Sequence, residues 1–173
     1  MQKIVIVING QGGVGKDAIC EIVARRYRAE NVSSIDPIKA IARQHGWQGE
    51  KDPKARKFLA DLKQAFIAYN DLPGRYLADK YAAFVANPAG QILFVHIREA
   101  DQIDAFKRSV SEKCVTLLVK GKNSETFGNA ADDAAGDYTY DYCYPNTGRL
   151  EDLEADALRF FGELLEREKI NEY

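Results

Sequence analysis

The sequence has 173 residues, of which 46% are hydrophobic and 29% are charged, and its formal net charge is -2. This length is enough for one domain with a substantial core, and the composition is that of a globular protein, not of a disordered or fibrous chain. A net charge so close to zero does not favour a general nucleic-acid-binding protein, so we expect no nucleic acid polymer among its partners.

The first predicted strand is residues 4–8, a continuous run of isoleucine and valine that ends at Asn9-Gly10. Such a run is typical of a strand buried on both faces, as in a parallel sheet. Shorter apolar runs predict four more strands, at residues 32–35, 92–97, 115–119 and 138–144. The last of these carries a tyrosine at every second position from 138 to 144, which predicts one packed face.

Helical patterns lie between these strands. Residues 16–29 repeat apolar side chains at helical spacing, and Asp36-Pro37 predicts the N-cap and first turn of a second helix. Asp52-Pro53 repeats that signature before a third helix, which is predicted to stop within residues 70–74. Further helices are predicted over residues 75–85 and from residue 150 onward. Strands that alternate with helices predict a single layered α/β domain, residues 1–173, with a mostly parallel sheet.

The three cysteines, Cys20, Cys114 and Cys143, are far apart and form no C-x-x-C pair. They indicate small buried hydrophobic residues in a reducing compartment, not disulfides or zinc ligands. The apolar run near the N-terminus is too short to span a membrane and has no signal-peptide cleavage pattern. We therefore expect a cytoplasmic monomer or homodimer with no membrane partner.

The segment that follows the first strand fits the pattern G-x-x-x-x-G-K. Glycines at these positions let successive backbone N–H groups turn inward toward phosphate oxygens, and the following helix adds its positive N-terminal end. The alternative is an ordinary glycine-rich turn, but the position between a buried strand and an amphipathic helix favours phosphate binding. The residues predicted to contact the nucleotide are Gly10, Gln11, Gly12, Gly13, Val14, Gly15 and Lys16.

Asp17 stands where such a loop normally has serine or threonine. Its carboxylate is a good ligand for a hard cation, which predicts a role in holding Mg²⁺, directly or through water. The alternative is that Asp17 only favours the first turn of the helix through the helix dipole. Both roles are compatible.

Gly15-Lys16-Asp17 resembles the loop of one branch of P-loop kinases, which includes phage deoxynucleoside monophosphate kinases and animal phosphomevalonate kinases. Three other segments resemble the same branch: SSIDPIK (33–39), GWQGEKDPKARKFLADL (46–62) and FVHIREADQIDAFK (94–107). A fourth, residues 136–161, resembles the last strand, base-side loop and closing helix of this branch and of dephospho-coenzyme A kinase. The loop motif is specific, and the other matches are loose.

The resemblance implies a three-layer P-loop kinase fold, a five-stranded parallel sheet in the order 2-3-1-4-5 with helices on both faces. It also implies an acceptor-binding helical region at about residues 37–87 and a lid at about residues 121–135. The cofactors implied are ATP and Mg²⁺, and Asn146, in the base-side loop, is a further expected nucleotide contact. The partners are then a nucleotide and a small-molecule acceptor.

Two positions depart from the family pattern. His96 stands where the third strand normally ends in aspartate, and the lid sequence has no arginine to clamp the transferred phosphoryl group. Cations for catalysis must then come from elsewhere. Because ligands bind at the carboxyl edge of an open α/β sheet, Arg98 is the foremost candidate for this cation. Asp36, after the second strand at the same edge, is expected to bind the acceptor and, for an alcohol, to accept its proton. The catalytic residues predicted are Lys16, Arg98 and Asp36.

Each remaining candidate has a plain structural alternative. Arg56 is expected to bind the acceptor, but it lies among lysines that could form a solvated helix face. Arg75 is a further substrate-binding candidate that could equally lie on the surface. Glu99 is either a metal-site carboxylate or a surface residue. The function predicted is an ATP-dependent phosphotransferase, most similar to nucleoside monophosphate kinases; the alternatives are a regulatory nucleotide-binding protein and a kinase of a small non-nucleotide metabolite.

Overall fold

Five strands form one parallel sheet at the centre of the computed structural model, which describes residues 2–121 and 138–170. The spatial order is β2-β3-β1-β4-β5, so the predicted order is confirmed and the first strand lies in the middle of the sheet. The strands are β1 (Ile4–Asn9), β2 (Ala29–Ser33), β3 (Ile92–His96), β4 (Lys113–Gly121) and β5 (Tyr142–Asn146).

Helices cover both faces of this sheet, as predicted. Even-numbered residues of β1, such as Ile6, pack in one core with residues of the first and last helices, including Phe161. Odd-numbered residues, such as Val5, pack on the other face with Phe84 and Ile103. The helices are α1 (Lys16–Arg26), α2 (Asp36–Gln44), α3 (Pro53–Asn70), α4 (Leu72–Ala86), α5 (Ala100–Ser109) and α6 (Leu153–Arg167), the last preceded by a 3₁₀ turn (Leu150–Asp152).

Helices α2 and α3 form a separate small core at the side of the molecule, built on Ile38, Ala42 and Leu59. The first part of the region predicted to bind the acceptor thus has its own packing, whereas α4 packs against the sheet through Leu77 and Phe84. The predicted lid lies outside the described residues apart from Gly121. Within residues 2–121 and 138–170, no helix is long and apolar enough to cross a membrane.

The fifth strand differs from its prediction. It starts at residue 142, so Tyr138 and Tyr140 precede it and do not share its face. The reason is that the Asp141 carboxylate accepts hydrogen bonds from both the backbone N–H and the hydroxyl of Thr116, at 2.8 and 2.9 Å, where strand pairing would otherwise continue. The prediction of burial for the cysteines is right for Cys20 and wrong for Cys143, which is exposed on this edge strand.

The two predicted aspartate caps have different outcomes. Asp52 is the N-cap of α3 and accepts a hydrogen bond from the Ala55 N–H at 2.8 Å, as its Asp-Pro signature predicts. Asp36 was expected to cap α2 in the same way, and this is wrong: it is the first helical residue. Its carboxylate instead accepts a hydrogen bond from the Ser33 N–H at 2.8 Å, which fixes the end of β2.

Candidate phosphate-binding site

The loop between β1 and α1 has a conformation that requires glycine. Gly10, Gly13 and Gly15 adopt φ angles of 148°, 80° and 89°, which L side chains rarely adopt. Space is also lacking at two of them: a Cβ on Gly10 would lie 2.5 Å from the Val119 carbonyl oxygen, and one on Gly15 would lie 2.7 Å from the Asn146 side chain. The glycine spacing therefore reflects a tightly wound loop and not a generic turn.

Asn146 supports this loop from the end of β5. Its Nδ2 donates a hydrogen bond to the carbonyl oxygen of buried Val14 at 2.9 Å. The residue expected to contact the nucleotide is thus placed directly against the loop of residues 10–16, the candidate phosphate loop. A base contact by Asn146 stays a prediction.

Lys16 begins α1, and its side chain folds back into the curve of the loop. The Nζ donates hydrogen bonds to the carbonyl oxygens of Gly10 and Gln11, at 2.6 and 2.8 Å. The ammonium group is therefore held at the N-terminal end of the helix, where the helix dipole also favours an anion. The Lys16 ammonium, the loop backbone and the N-terminal end of α1 therefore lie together at one point of the sheet edge.

Asp17 follows in the first turn of α1 and is exposed. Among residues 2–121 and 138–170, no group of three or more His, Cys, Asp or Glu side chains is arranged to hold a metal ion. Among the residues that the structure describes, a metal site at Asp17 would therefore be completed by ligand phosphate oxygens and water. That is how Mg²⁺ is commonly held in ATP-using enzymes, so the residues present fit the predicted ion.

Asn9, the last residue of β1, contacts the glycine loop, the chain after β3 and the chain before β5. It was not predicted from the sequence. It is 1% exposed, and its Oδ1 accepts the Gly10 N–H at 2.8 Å. Its Nδ2 donates to the Arg98 carbonyl oxygen at 3.1 Å and to the Tyr140 hydroxyl at 2.8 Å. The signal was available: a polar residue directly ends an apolar strand just before the glycine loop.

Arg98 is exposed two residues beyond the end of β3, at the same sheet edge as the phosphate loop. The next residue, Glu99, has both carboxylate oxygens bonded to the Lys63 ammonium, at 2.8 and 2.7 Å. Lys63 lies on α3 and was also missed, although it interrupts the apolar stripe that Leu59 and Phe66 define. A metal role for Glu99 stays a prediction, and it would require this ion pair to open.

His96 ends β3 beside the phosphate loop. Its Nε2 lies 2.7 Å from the Asn31 Oδ1 and 3.9 Å from the Cys20 Sγ. Burial lowers the pKa of His96 to about 4; the charge of Asp17 raises that pKa and the charges of Lys16, Lys39 and Arg98 lower it. The imidazole is therefore neutral at neutral pH, so this chain carries no charge at the position where the kinases that its sequence resembles carry an aspartate.

The lowered pKa of the half-buried His96 imidazole predicts an acid-dependent loss of stability. The pKa of His96 is about 4 in the folded protein and 6.5 as the ordinary value, so the unfolded state binds more protons between these limits. The His96 contribution is complete above pH 6.5 and should be lost as the pH falls toward 4, by an amount on the order of 2 kcal/mol. Urea unfolding at several pH values, with His96→Gln as the comparison, measures it; parallel curves for the two proteins would contradict the prediction.

The other predicted site residues lie farther along the edge or on the helical region. Asp36 is the first residue of α2, shortly after the end of β2. The pKa of the Tyr76 phenol is raised, mainly by burial and secondly by the negative charge of Asp36. Arg56 is in the first turn of α3, and its Nε donates to the Lys51 carbonyl oxygen at 2.8 Å. Arg75 is exposed on α4. The structure thus groups Lys16, Asp17, His96 and Arg98, and it places Arg56 and Arg75 on the helical region.

No protein-family model matches the sequence, and no curated protein matches it. Among solved structures, the APS kinase CysC of Mycobacterium tuberculosis, solved in complex with AMPPNP and APS, has a TM-score of 0.53 and 12% identity, with 94% of this chain and 98% of that chain covered. A gluconokinase of Sinorhizobium meliloti has a TM-score of 0.51 and 11% identity, over 99% of this chain and 98% of that chain. The tunicamycin resistance protein of Deinococcus radiodurans has a TM-score of 0.53 and 13% identity, over 92% and 96%.

These similarities extend over nearly the whole chain on both sides, at identities of only 11 to 13%. They establish a shared fold. The chain therefore shares with these proteins a three-layer α/β fold built on a parallel sheet, and its glycine loop lies at the carboxyl end of the central strand.

Proposed function

We propose that this protein is an ATP-dependent kinase that transfers the γ-phosphoryl group of ATP to a small acceptor. The observation that carries the proposal is the loop of residues 10–16, in which glycines at positive φ and the Lys16 ammonium lie together at the start of α1. The fold supports it, because the APS kinase that shares this fold was solved with AMPPNP. Together these features favour nucleotide phosphates as the ligand of the loop.

Phosphoryl transfer requires mainly positioning and positive charge, with little covalent chemistry for the protein to perform. In the proposed complex, the loop N–H groups and Lys16 hold the β- and γ-phosphates at the N-terminal end of α1. Asp17 is the residue that would hold Mg²⁺, and the ion would supply charge neutralisation for the triphosphate. Arg98 faces the developing charge from the end of β3. Asn146 braces the loop beside the nucleotide base.

For the acceptor, we propose a nucleoside monophosphate, in line with the Gly15-Lys16-Asp17 resemblance. It would lie between Asp36, Arg98 and the helical region that carries Arg56 and Arg75. A phosphate acceptor is already ionised and needs no general base, so basic side chains suffice to orient it. The exposed positions of Arg75 and Arg98 suit that task.

A small metabolite with a hydroxyl acceptor is the second candidate, and Asp36 favours it. Its carboxylate lies at the carboxyl end of β2 beside Tyr76, a suitable location for a general base that accepts the hydroxyl proton. A regulatory nucleotide-binding protein is the remaining alternative. It is favoured by the neutral His96 and by the lid sequence, which lacks arginine.

The proposal is tested by measuring ADP formation from Mg-ATP with a panel of acceptors. The panel contains nucleoside and deoxynucleoside monophosphates, sugars and sugar acids, and small phosphorylated metabolites. A true acceptor should raise ADP formation well above the protein's own ATPase rate. Turnover with a nucleoside monophosphate would support the first candidate, and turnover with a sugar or sugar acid would support the second. If none does so while Mg-ATP still raises the melting temperature, the regulatory function is the better description.

The metal role of Asp17 has its own test. Asp17→Asn should weaken the binding of Mg-ADP more than the binding of metal-free ADP, because the amide is a poorer ligand for a hard cation. Asp17→Thr should retain part of the magnesium dependence, since a hydroxyl is the usual ligand at this position. Calorimetric titrations with and without Mg²⁺ measure both. Equal losses under the two conditions would reduce Asp17 to a residue that only favours the helix start.

A further inference from the structure

A buried ion pair joins the middle of α3 to the residue that follows Arg98. Lys63 is 5% exposed, and its ammonium lies 2.8 and 2.7 Å from the two carboxylate oxygens of Glu99. The two residues are 36 positions apart in sequence and belong to different parts of the fold. The pair links α3, which packs with α2 on a small core, to the chain that follows β3 beside the phosphate loop.

An ion pair in this position is not needed for stability. Removing two charges from water costs as much free energy as their attraction returns, and apolar side chains of similar size often stabilise equally well. The geometry that the pair imposes is therefore its distinctive property. Two short hydrogen bonds to one ammonium fix the position of the Glu99 carboxylate relative to α3 much more tightly than an apolar contact would.

The pair acts on the backbone that carries Arg98. On one side, the Arg98 carbonyl oxygen accepts a hydrogen bond from Asn9, whose Oδ1 also accepts the Gly10 N–H of the phosphate loop. On the other side, Glu99 is held by Lys63, and the Glu99 carbonyl oxygen accepts the Ile103 N–H at 3.0 Å in the first turn of α5. Arg98 is thus fixed between the phosphate loop and α3.

We propose that the Lys63–Glu99 pair is a positioning device, which holds Arg98 at the transferred phosphoryl group and in register with the acceptor-binding helices. The proposal rests on the kinase function proposed above. Neither Lys63 nor Glu99 contacts a ligand in this arrangement. Both act through Arg98. The Glu99 carboxylate binds the Lys63 ammonium and not a metal ion.

The test separates geometry from charge balance. Glu99→Met leaves the buried Lys63 charge unpaired, and Lys63→Met leaves the half-buried Glu99 charge unpaired. Each should therefore lower kcat and the melting temperature, and Glu99→Met should lower the latter by at least about 5 °C. The double variant Lys63→Met/Glu99→Met should recover most of the melting temperature, because no unpaired charge remains. Its kcat on the acceptor should stay roughly 10²-fold low, with the Kd of ATP changed less than about threefold, because a displaced Arg98 impairs the reaction and not nucleotide binding.

Recovery of kcat together with stability in the double variant would overturn the proposal, since the pair would then be structural only. Glu99→Asp covers the case in which the double variant does not fold. It keeps the charge but shortens the side chain by one methylene, so it should fold and lose at least about fivefold in kcat. Full kcat in Glu99→Asp would also overturn the proposal.

Lys57→Met is the matched control on α3. Lys57 forms an exposed ion pair with Asp61, and the two side chains are 76% and 65% exposed. This variant should change neither the melting temperature nor kcat.

A second readout does not depend on turnover. Amide hydrogen exchange at Ile103 reports how firmly the Glu99 carbonyl is held, and it should be at least tenfold faster in the double variant than in the Lys57→Met control. If wild-type protein turns over no acceptor but this difference is found, the kinase function is wrong and the positioning of residues 98–99 stands. If exchange at Ile103 is the same in both variants, the positioning role is wrong, whatever the outcome for the kinase.

Discussion

Lys16→Ala should abolish the stabilisation of this protein by Mg-ATP and lower turnover on the true acceptor by roughly 10²-fold to 10³-fold or more. In the wild type, a ligand at 100 times its Kd adds about 2.7 kcal/mol to the free energy of unfolding. The variant loses the one ammonium group that the loop itself holds, so this ligand-dependent increment should vanish. Melting curves with and without millimolar Mg-ATP measure it.

The same substitution has a smaller effect on the protein without ligand. The Lys16 ammonium donates to the Gly10 and Gln11 carbonyl oxygens, and loss of these two partly exposed hydrogen bonds should cost about 1 kcal/mol. Lys113→Ala is the matched control, because Lys113 pairs in register with Ile4 at the opposite end of β1. An undiminished melting shift in Lys16→Ala, equal to that of the control, would refute phosphate binding by this loop.

The parts of the fold that sequence could predict are those that depend on neighbours in the chain. The buried strand β1, the glycine loop and the Asp52 cap each result from a few consecutive residues. The strand order was available only through the family resemblance. For β5, where the predicted start was wrong, a contact between distant residues decided the structure: Asp141 bonds Thr116 and delays the start of the strand. The Asp36 cap was wrong for a local reason, its contact with the Ser33 N–H.

The candidate site shows the same division. Lys16 and Asp17 were found because the motif fixes their place relative to the loop. Asn9 and Lys63 were missed because their importance depends on what they meet across the fold, namely the Arg98 carbonyl and the Glu99 carboxylate. Burial of a polar or charged side chain is what reveals such residues, since each must find a partner when it leaves water. A single sequence shows that a lysine interrupts an apolar stripe, but not which carboxylate it pairs with.

Arg98→Lys should leave the fold intact and ATP affinity within a few-fold of the wild type, and should lower turnover on the true acceptor by roughly 10²-fold or more. Lysine keeps the positive charge but loses the planar, five-donor guanidinium that can bond two oxygens at once. The site offers little compensation, because the neighbouring His96 is neutral, its pKa lowered to about 4 chiefly by burial. Catalysis gains only from interactions that strengthen in the transition state, so the loss should appear in kcat and not in nucleotide binding.

Arg108→Lys is the matched control for this prediction, because Arg108 is exposed in the last turn of α5, the far end of the helix that follows Arg98. It should retain full turnover. If both Arg98→Lys and Arg98→Ala also retain full turnover, Arg98 is a surface residue, and Arg56 or Arg75 becomes the expected source of the missing cation. If Arg98→Lys is as impaired as Arg98→Ala, then net charge at this sheet edge contributes little, and the oriented guanidinium is what carries the reaction. The backbone that carries this guanidinium is held by Asn9 on one side and by the Lys63–Glu99 pair on the other.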